Sequence, residues 1–151
     1  MKDPLEVFFS YAHVDEEWKK RLVTHLSMLK REKIISGWHD REIIAGAEWK
    51  TEIDAHLHTA HIILLLVSPD FLASDYCWGR EVKTAMKRRN AGEACVIPII
   101  IRPADWENAP FHKLQALPTD GKPVTSWTDQ DEAFLNVAQG IRTAAKDLKK
   151  K

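Results

Sequence analysis

Cysteine is scarce in this sequence, which argues against a disulfide-stabilised, secreted protein. The two cysteines, Cys77 and Cys95, form no C-x-x-C pair. The first residues, M-K-D-P-L-E, also lack the cationic, apolar and small-residue zones of a secretory signal peptide. Because thiols stay reduced inside cells, we expect a reduced protein in the cytoplasm.

An excess of charge of either sign is absent as well. Twenty-two basic residues balance twenty-two acidic ones over 151 residues, so there is no net electrostatic attraction to nucleic acid or to an anionic membrane. The apolar run from Ile62 to Val67 is too short to cross a bilayer, which takes about 20 residues. We therefore expect neither nucleic acid nor a membrane as a direct partner.

Glycine-rich phosphate loops are missing from the places where nucleotide-binding domains need them. The predicted first strand is followed by Ser10-Tyr11-Ala12-His13 instead of G-x-G-x-x-G, and no G-x-x-x-x-G-K-[ST] occurs. A phospho-receiver of similar topology needs an aspartate at the end of the third strand, where this sequence has Val67-Ser68. These absences disfavour both nucleotide-cofactor domains and phospho-receivers.

Histidines are present, but their spacing does not predict a metal site. His56 lies two positions from His58 and five from His61, so the three side chains do not face one point on a helix. No acidic residue or cysteine completes a set of ligands around them. We expect solvated surface histidines and no bound metal.

Apolar runs and helical periodicities alternate along the chain, which predicts an α/β protein. The predicted strands cover residues 5–9, 34–38, 62–67, 94–101 and 123–127. Five strands that alternate with helices make a flavodoxin-like, doubly wound five-stranded parallel sheet in the order 2-1-3-4-5, with helices on both faces. We interpret residues 1–148 as a single domain and residues 149–151 as a basic tail or the start of a linker.

Finer expectations follow from single positions. The first helix has an apolar face at helical spacing, formed by Val14, Trp18, Leu22, Leu26 and Leu29. Pro98, inside the predicted fourth strand, indicates a bulge or a locally unpaired position. The last helix opens as a Thr128-x-x-Asp131 capping box would.

In a sheet of this kind, the loops that follow the carboxyl ends of the strands carry the function. Here these loops are residues 10–15, 40–48 and 68–78. The helix predicted after the third loop has an apolar stripe that includes Trp78 and Val82, and Glu81 falls at the edge of that stripe. A carboxylate is therefore predicted where the core meets the mouth of the sheet.

The motifs found in this order resemble a known family. They are Val7-Phe8-Phe9-Ser10-Tyr11-Ala12 at the end of the first strand, Asp40-Arg41 and Gly46 in the second loop, Leu66-Val67-Ser68-Pro69 followed by Tyr76-Cys77-Trp78-Gly79-Arg80-Glu81, and the Val96-Ile97-Pro98-Ile99 strand. Together they resemble a Toll/interleukin-receptor (TIR) domain of the bacterial type over nearly the whole chain. The resemblance implies the flavodoxin-like fold, TIR to TIR assembly and, in many bacterial, plant and some animal members, cleavage of NAD+ at the nicotinamide–ribose bond.

The resemblance also implies a catalytic residue. Enzymatic members use a glutamate early in the third helix, and Glu81 matches that position. Many members have a tryptophan four residues earlier, in a W-x-x-x-E pattern, whereas this sequence has Cys77 there and Trp78 one position later. We expect Glu81 to be catalytic, with a changed packing role for the aromatic ring.

Further residues are candidates for binding the substrate. They are Phe9, Ser10, Asp40, Arg41, Trp49, Ser74, Cys77 and Trp78. Structural alternatives stay open for several of them: a core aromatic for Phe9, a helix-capping hydroxyl for Ser10, a core position at helical spacing with Ile53 and Leu57 for Trp49, and an ion pair between Asp40 and Arg41.

Two functions are compatible with the resemblance. The first is an NAD+ nucleosidase (NADase), a hydrolase that takes NAD+ as substrate and needs no cofactor. It is switched on by self-association with other TIR domains, as a homo-oligomer or filament, in bacterial antiviral defence or signalling, and a fused sensor domain is a further expected partner. The alternative is a non-enzymatic adaptor or scaffold in which Glu81 is structural. A basic run, Lys83, Lys87, Arg88 and Arg89, is typical of the solvated face of a helix. The alternative is that this run pairs with an acidic patch such as Asp15-Glu16-Glu17 of a neighbour, in a head-to-tail assembly.

Overall fold

The structure, a computed structural model, describes residues 3–39 and 55–150, with the backbone alone at residues 37–39. The predictions made for Asp40, Arg41, Gly46 and Trp49 lie outside this part of the chain. Strands occur at β1 Leu5–Ser10, β2 Ile35–His39, β3 Ile62–Val67 and β4 Cys95–Ile100. Within the described residues they form one parallel sheet in the order β2-β1-β3-β4. This order confirms the predicted flavodoxin-like fold.

The sheet is covered on both faces, which explains why β3 is apolar along its whole length. Every residue of β3 is buried. Successive side chains of a strand point to opposite faces, so the even-numbered residues of β3 join one apolar cluster and the odd-numbered residues join the other. An unbroken apolar run therefore suits this central parallel strand, as predicted.

Helices form the two outer layers. They are α1 Glu16–His25, α2 Ser27–Arg31, α3, whose described part covers residues 55–59, α4 Pro69–Ala73, α5 Lys83–Asn90 and α6 Gln130–Lys149. Helices α1, α2 and α6 pack on the cluster that contains Val7 and Phe9, and α3, α4 and α5 pack on the cluster that contains Phe8. No helix in the described ranges is long and apolar enough to span a membrane.

The first helix differs from its predicted form. Val14 was expected to face inward, but it is 68% exposed and lies in the 3-10 turn His13–Asp15 before α1. A 3-10 turn has three residues per turn, so the helical period of 3.6 does not extend back to Val14. The other predicted apolar positions pack into the core as expected: Trp18, Leu22, Leu26 and Leu29.

The last helix begins one residue later than the capping box implies. Asp129 is the N-cap, and its Oδ1 accepts hydrogen bonds from the backbone N of Asp131 at 2.9 Å and of Glu132 at 3.4 Å. The prediction that Thr128 caps this helix is therefore wrong. Aspartate is at least as good an N-cap as threonine, and here it reaches the first unpaired N–H groups of α6.

The segment predicted as a fifth strand has a different conformation. Residues 123–127 contain a 3-10 helix, Val124–Ser126, and the backbone N of Thr125 donates to the carbonyl of Ile101 at 3.1 Å. The outer edge of β4 is instead met by Leu117, which forms a single parallel bridge with Ile99. Prolines 118 and 123 lack the N–H that a longer ladder would need.

Pro98 lies inside β4 without a bulge. The pairing of β3 with β4 runs residue for residue from Ile62 and Cys95 to Val67 and Ile100. The carbonyl of Pro98 accepts from the N of Leu117 at 2.9 Å on the outer edge. Because N and O of one strand residue point to the same side, the missing N–H faces that edge and interrupts no bond to β3.

Candidate functional site

Glu81 lies at the carboxyl edge of the sheet, in contact with the last residue of β1. Its carboxylate is buried, with 1% of the residue exposed. The hydroxyl Oγ of Ser10 donates to Glu81 Oε1 at 2.5 Å, and Ser10 is itself fully buried. Hydroxyl bonds to a carboxylate of this length are charge-assisted and strong. The placement of a carboxylate where the core meets the rim of the sheet agrees with the sequence analysis.

A π-helix carries Glu81 to this position. Residues Cys77–Val82 form the wider turn, and regular α-helix resumes at Lys83 in α5. Such segments are rare and occur frequently at functional sites. Cys77 and Glu81 are both buried within it, so the wide turn directs both side chains toward the end of β1.

A second contact ties this helical segment to β1. The thiol of Cys77 donates to the carbonyl of Tyr11 at 3.4 Å, one residue beyond Ser10. The backbone N of Cys77 in turn donates to Ser74 Oγ at 3.1 Å, which fixes the start of the helix. Cys77 therefore joins the helix to the loop after β1.

Trp78 packs against the connection that follows β4. It is 38% exposed, and its ring meets Phe111 edge to face, with ring centroids 6.4 Å apart. Phe111 is buried and makes a similar contact with Phe71 of α4 at 6.5 Å. The shift of the tryptophan by one position thus places the ring over the connection that follows β4.

The predicted substrate-binding residues do not all come together. Ser10 contacts Glu81, Cys77 contacts the neighbouring Tyr11, and Ser74 accepts a hydrogen bond from the backbone N of Cys77. Phe9 is buried in the apolar cluster on the opposite face of the sheet, with α1 and α6. This follows from the period of two in β1, which sends Phe8 and Ser10 to one face and Phe9 to the other. Asp40, Arg41 and Trp49 lie outside the described residues.

A second polar cluster at the same edge was not predicted. Arg102 donates to Asp15 Oδ1 from Nε at 3.1 Å and from Nη2 at 2.9 Å, and Nη2 also donates to Asp70 Oδ2 at 2.5 Å. The hydroxyl of Ser68 donates to Asp15 Oδ2. Asp15 is 1% exposed and Ser68 is fully buried. The cluster joins the loops that follow β1, β3 and β4.

Two carboxylates stabilise the cationic form of Arg102. Burial by itself lowers the pKa of this guanidinium, but hydrogen bonds to Asp70 and Asp15 outweigh burial, so its pKa lies above the ordinary value. The side chain thus stays a cation between two anions. The signal for this cluster was position, because Arg102 comes shortly after the end of β4. The loops predicted from the sequence to carry the function follow β1, β2 and β3, and the loop after β4 was not among them.

Two members of the predicted charged surfaces are buried, so that part of the prediction is wrong. Arg88 is 8% exposed, and its Nη1 donates to the carbonyls of Leu57 at 2.8 Å and Ala60 at 2.7 Å. Asp15 is held in the cluster just described. Carbonyls at a helix end attract a cation, which explains why Arg88 turns inward. The exposed basic residues of the run are Lys83, Lys87 and Arg89.

The histidines form no metal site in the described ranges. The ring Nδ1 of His61 accepts from the backbone N of Glu6 at 2.9 Å, and His56 Nδ1 lies 3.9 Å from Glu6 Oε1. These contacts are at the amino end of the sheet, away from Glu81. No group of three or more potential ligands from His, Cys, Asp or Glu occurs within residues 3–39 and 55–150.

A wide groove also lies at the amino end of the sheet. It has a volume of about 680 Å³ and runs along the start of β4, between Val96 and residues of α6 such as Ala144 and Leu148. Its lining is mostly apolar and includes neither Ser10 nor Glu81. We place the candidate site at Glu81, because ligands of open parallel sheets bind at the carboxyl ends of the strands.

Comparison with known proteins agrees with this geometry. The model of the TIR domain family matches residues 7–136. A bacterial protein from Sinorhizobium fredii (strain NBRC 101917 / NGR234), known as "Uncharacterized protein y4lF", is 58% identical over 139 residues. The match covers 92% of this chain and 43% of that protein, so the chain spans less than half the length of this relative.

Two solved structures share the fold. The TIR domain of the Toll-related receptor TRR-2 from Hydra magnipapillata superimposes with a TM-score of 0.61 at 20% identity, over 90% of this chain and 97% of that one. The TIR domains of the activated Roq1 resistosome, which directly recognises the pathogen effector XopQ, give a TM-score of 0.53 at 19% identity, over 89% and 84%. The family match, the bacterial relative and the shared fold lead to one conclusion: the chain belongs to the TIR domain family.

Proposed function

We propose that this domain is an NAD+ nucleosidase that cleaves the nicotinamide–ribose bond, with Glu81 as the catalytic residue. The observation that carries the proposal is the Glu81 carboxylate, buried at the carboxyl edge of the sheet and hydrogen-bonded by Ser10 at 2.5 Å. It stands at the position of the catalytic glutamate implied by the family resemblance. NAD+ is a substrate in this proposal, and no cofactor takes part.

The chemistry asked of Glu81 is electrostatic. Nicotinamide in NAD+ is already a cationic leaving group, so the bond from ribose C1′ to the ring nitrogen breaks with both electrons passing to nitrogen. Positive charge then develops on the ribose, and a carboxylate stabilises this oxocarbenium-like state. Addition of water at C1′ gives ADP-ribose and a proton. Attack by the adenine of the same substrate on C1′ instead gives cyclic ADP-ribose and a proton, without addition of water.

Burial makes the carboxylate effective and restricts access to it. A charge removed from bulk water acts through a lower effective dielectric, so its attraction to a developing cation is stronger. A residue that is 1% exposed must, however, become accessible before a ribose can contact it. We propose that self-association, as a homo-oligomer or filament of TIR domains, provides this activation. The Roq1 TIR domains, which belong to an activated resistosome, support assembly as a property of this fold.

The direct test measures nicotinamide release from NAD+ by concentrated or crowded protein. Glu81→Gln keeps the size and the acceptor oxygen of the side chain but removes its charge, and Glu81→Ala removes the whole group. We expect both variants to lose about 10²-fold or more in rate. Ser36→Ala is the matched control, because Ser36 Oγ donates to the carbonyl of Leu5 at the amino end of the sheet. Undiminished cleavage by both Glu81 variants contradicts the catalytic assignment.

Activation by assembly has its own test. If neighbouring domains make Glu81 accessible, specific activity rises steeply with protein concentration. Charge reversal of the exposed Lys83 and Lys87 should weaken head-to-tail pairing with an acidic surface and shift this rise to higher concentration. A specific activity that is independent of concentration contradicts activation by self-association. Within a cell, we propose that this activity serves bacterial antiviral defence or signalling in the cytoplasm, and that a fused sensor domain of a longer protein controls it.

The burial of Glu81 also supports a second candidate function, a non-enzymatic adaptor. A carboxylate at 1% exposure with a serine donor has the surroundings of a structural group, and Cys77 replaces the tryptophan of many family members. An adaptor acts through protein–protein interaction and releases no nicotinamide at any concentration. In that case Glu81→Gln changes the stability of the domain and leaves its self-association intact.

A further inference from the structure

Ser10 was considered as a substrate-binding residue, and its surroundings indicate a different role. Its side chain is fully buried. A serine hydroxyl has one proton to donate, and in Ser10 this proton is directed to Glu81 Oε1. The hydroxyl is thus neither exposed to a ligand nor available to donate to one.

The backbone of Ser10 is also well fixed. Ser10 is the last residue of β1, a strand paired on both sides, and it lies in register with Leu65 of β3. Side chains held on paired strands are placed more closely than those on loops. The Glu81 carboxylate is therefore tied to a rigid point of the sheet, although its own helical segment has the wider π turn.

We propose that Ser10 is a positioning residue for Glu81. Its hydroxyl holds the carboxylate in one orientation at the rim of the sheet, and it acts on the reaction through Glu81 without binding NAD+. The inference rests on the proposed function for its catalytic part. The hydrogen bond itself is a property of the protein alone and is testable without substrate.

A graded series at Ser10 tests the proposal. Ser10→Ala removes the donor, and Ser10→Cys keeps a weak donor of similar shape. Since a hydrogen bond to a charged group is worth more than a neutral one, we expect kcat to fall by about 10- to 100-fold in Ser10→Ala and by less in Ser10→Cys, with KM unchanged. Such a pattern is that of an interaction used in the transition state. A raised KM with unchanged kcat overturns the proposal and makes Ser10 a substrate-binding residue.

Ser68→Ala is the matched control for lost stability. Ser68 directly follows β3 and, like Ser10, donates to a buried carboxylate, that of Asp15. We expect Ser68→Ala to lower the midpoint of thermal unfolding at least as much as Ser10→Ala does, with a much smaller loss of kcat. Equal losses of kcat in the two variants mean that Ser10 acts only through stability, and they overturn the proposal.

A spectroscopic measurement separates this inference from the proposed function. In protein labelled with ¹³C-glutamate, the carboxyl resonance of Glu81 is identified by its absence in Glu81→Gln. We expect this resonance to move in Ser10→Ala and to stay in place in Ser68→Ala and Ser36→Ala. An unmoved resonance overturns the positioning role, whatever the activity. If the resonance moves but the protein releases no nicotinamide, the hydrogen bond from Ser10 to Glu81 is supported. The proposed NAD+ cleavage, and the effect of Ser10 on it, are then rejected.

Discussion

Asp15 and Glu81 are two buried carboxylates at the same edge of the sheet, and each is held by a serine that follows or ends a strand. Asp15 is also paired with the guanidinium of Arg102, so its charge is compensated inside a cluster that joins three loops. Glu81 lies on a π-helix, and it is the residue that we propose as catalytic. The same local device, a serine donating to a carboxylate, thus occurs once in a structural cluster and once at the candidate site.

The largest expected effect on stability comes from Arg102→Ala. This change leaves Asp15, which is 1% exposed, without its cation, and such losses cost about 3 kcal/mol or more. Urea unfolding measures the change in the free energy of unfolding. Asp70→Asn is the control, because Asp70 is exposed and its loss leaves the pair of Arg102 with Asp15 in place. If Arg102→Ala is no less stable than Asp70→Asn, the cluster is not structural.

The reverse pattern is expected at Glu81. Glu81→Gln keeps an acceptor for Ser10, so we expect the free energy of unfolding to change by less than about 1 kcal/mol. Nicotinamide release should fall by about 10²-fold, while Arg102→Ala keeps its activity per folded molecule. Unfolding curves and rates measured on the same samples check both halves. If Glu81→Gln loses much stability and no rate of nicotinamide release, Glu81 has a structural role like that of Asp15.

Two helical glycines differ in how tightly their surroundings are packed: Gly79 lies in the helical segment that carries Glu81, and Gly140 lies in α6. A Cβ at Gly140 of α6 would lie 2.6 Å from Leu117 Cδ1, whereas a Cβ at Gly79 of the π segment would meet nothing within 4 Å. We expect Gly140→Ala to lower stability by about 1–3 kcal/mol and Gly79→Ala to leave it unchanged or raise it by up to about 1 kcal/mol. Thermal unfolding of both variants checks this, and equal losses contradict it.

The smallest effect concerns an exposed counterpart of the Arg102–Asp15 pair. Arg142 donates to both carboxylate oxygens of Glu32, at 3.0 and 2.7 Å, and its hydrogen bond lowers the pKa of Glu32 below the ordinary 4.5. A carboxylate with a lowered pKa adds stability above its unfolded pKa and loses it as the pH falls through its folded pKa. The midpoint of thermal unfolding should therefore be higher for the wild-type protein than for Glu32→Gln at pH 7. This difference between the two midpoints should disappear well below pH 4.5. A difference that persists in acid contradicts this origin.

Much of the fold was predictable because the sequence patterns that indicate it extend over several residues or helical turns. The apolar run at β3 and the helical spacing of Trp18, Leu22 and Leu29 each depend on burial over several residues or turns, and both were confirmed. The short helix α4 was missed, although Ser68 and Pro69 form a usual helix start and the N of Phe71 donates to Ser68 Oγ at 3.0 Å. Elements of a single turn bury too little periodic surface to be recognised from a pattern.

The candidate site was predictable only in part. Glu81 was placed at the rim by its offset from the apolar stripe, and the structure places it there. Its hydrogen-bond partner was not predictable, because Ser10 and Glu81 are 71 positions apart. A helical projection at the α-helical period also does not represent the wider π turn that directs Glu81 toward Ser10. Arg102 was missed for a similar reason, since it meets Asp15 across 87 positions.

The amino-acid sequence by itself determined the layers, the parallel order of the strands and the family, because alternating apolar and helical patterns are local and repeated. Only the tertiary structure decided which carboxylate is compensated by a cation and which serine holds Glu81. The physical reason is the separation along the chain of the residues that interact. Patterns of burial act between neighbours in the chain, whereas hydrogen bonds and ion pairs at the rim depend on where separate strands end in space.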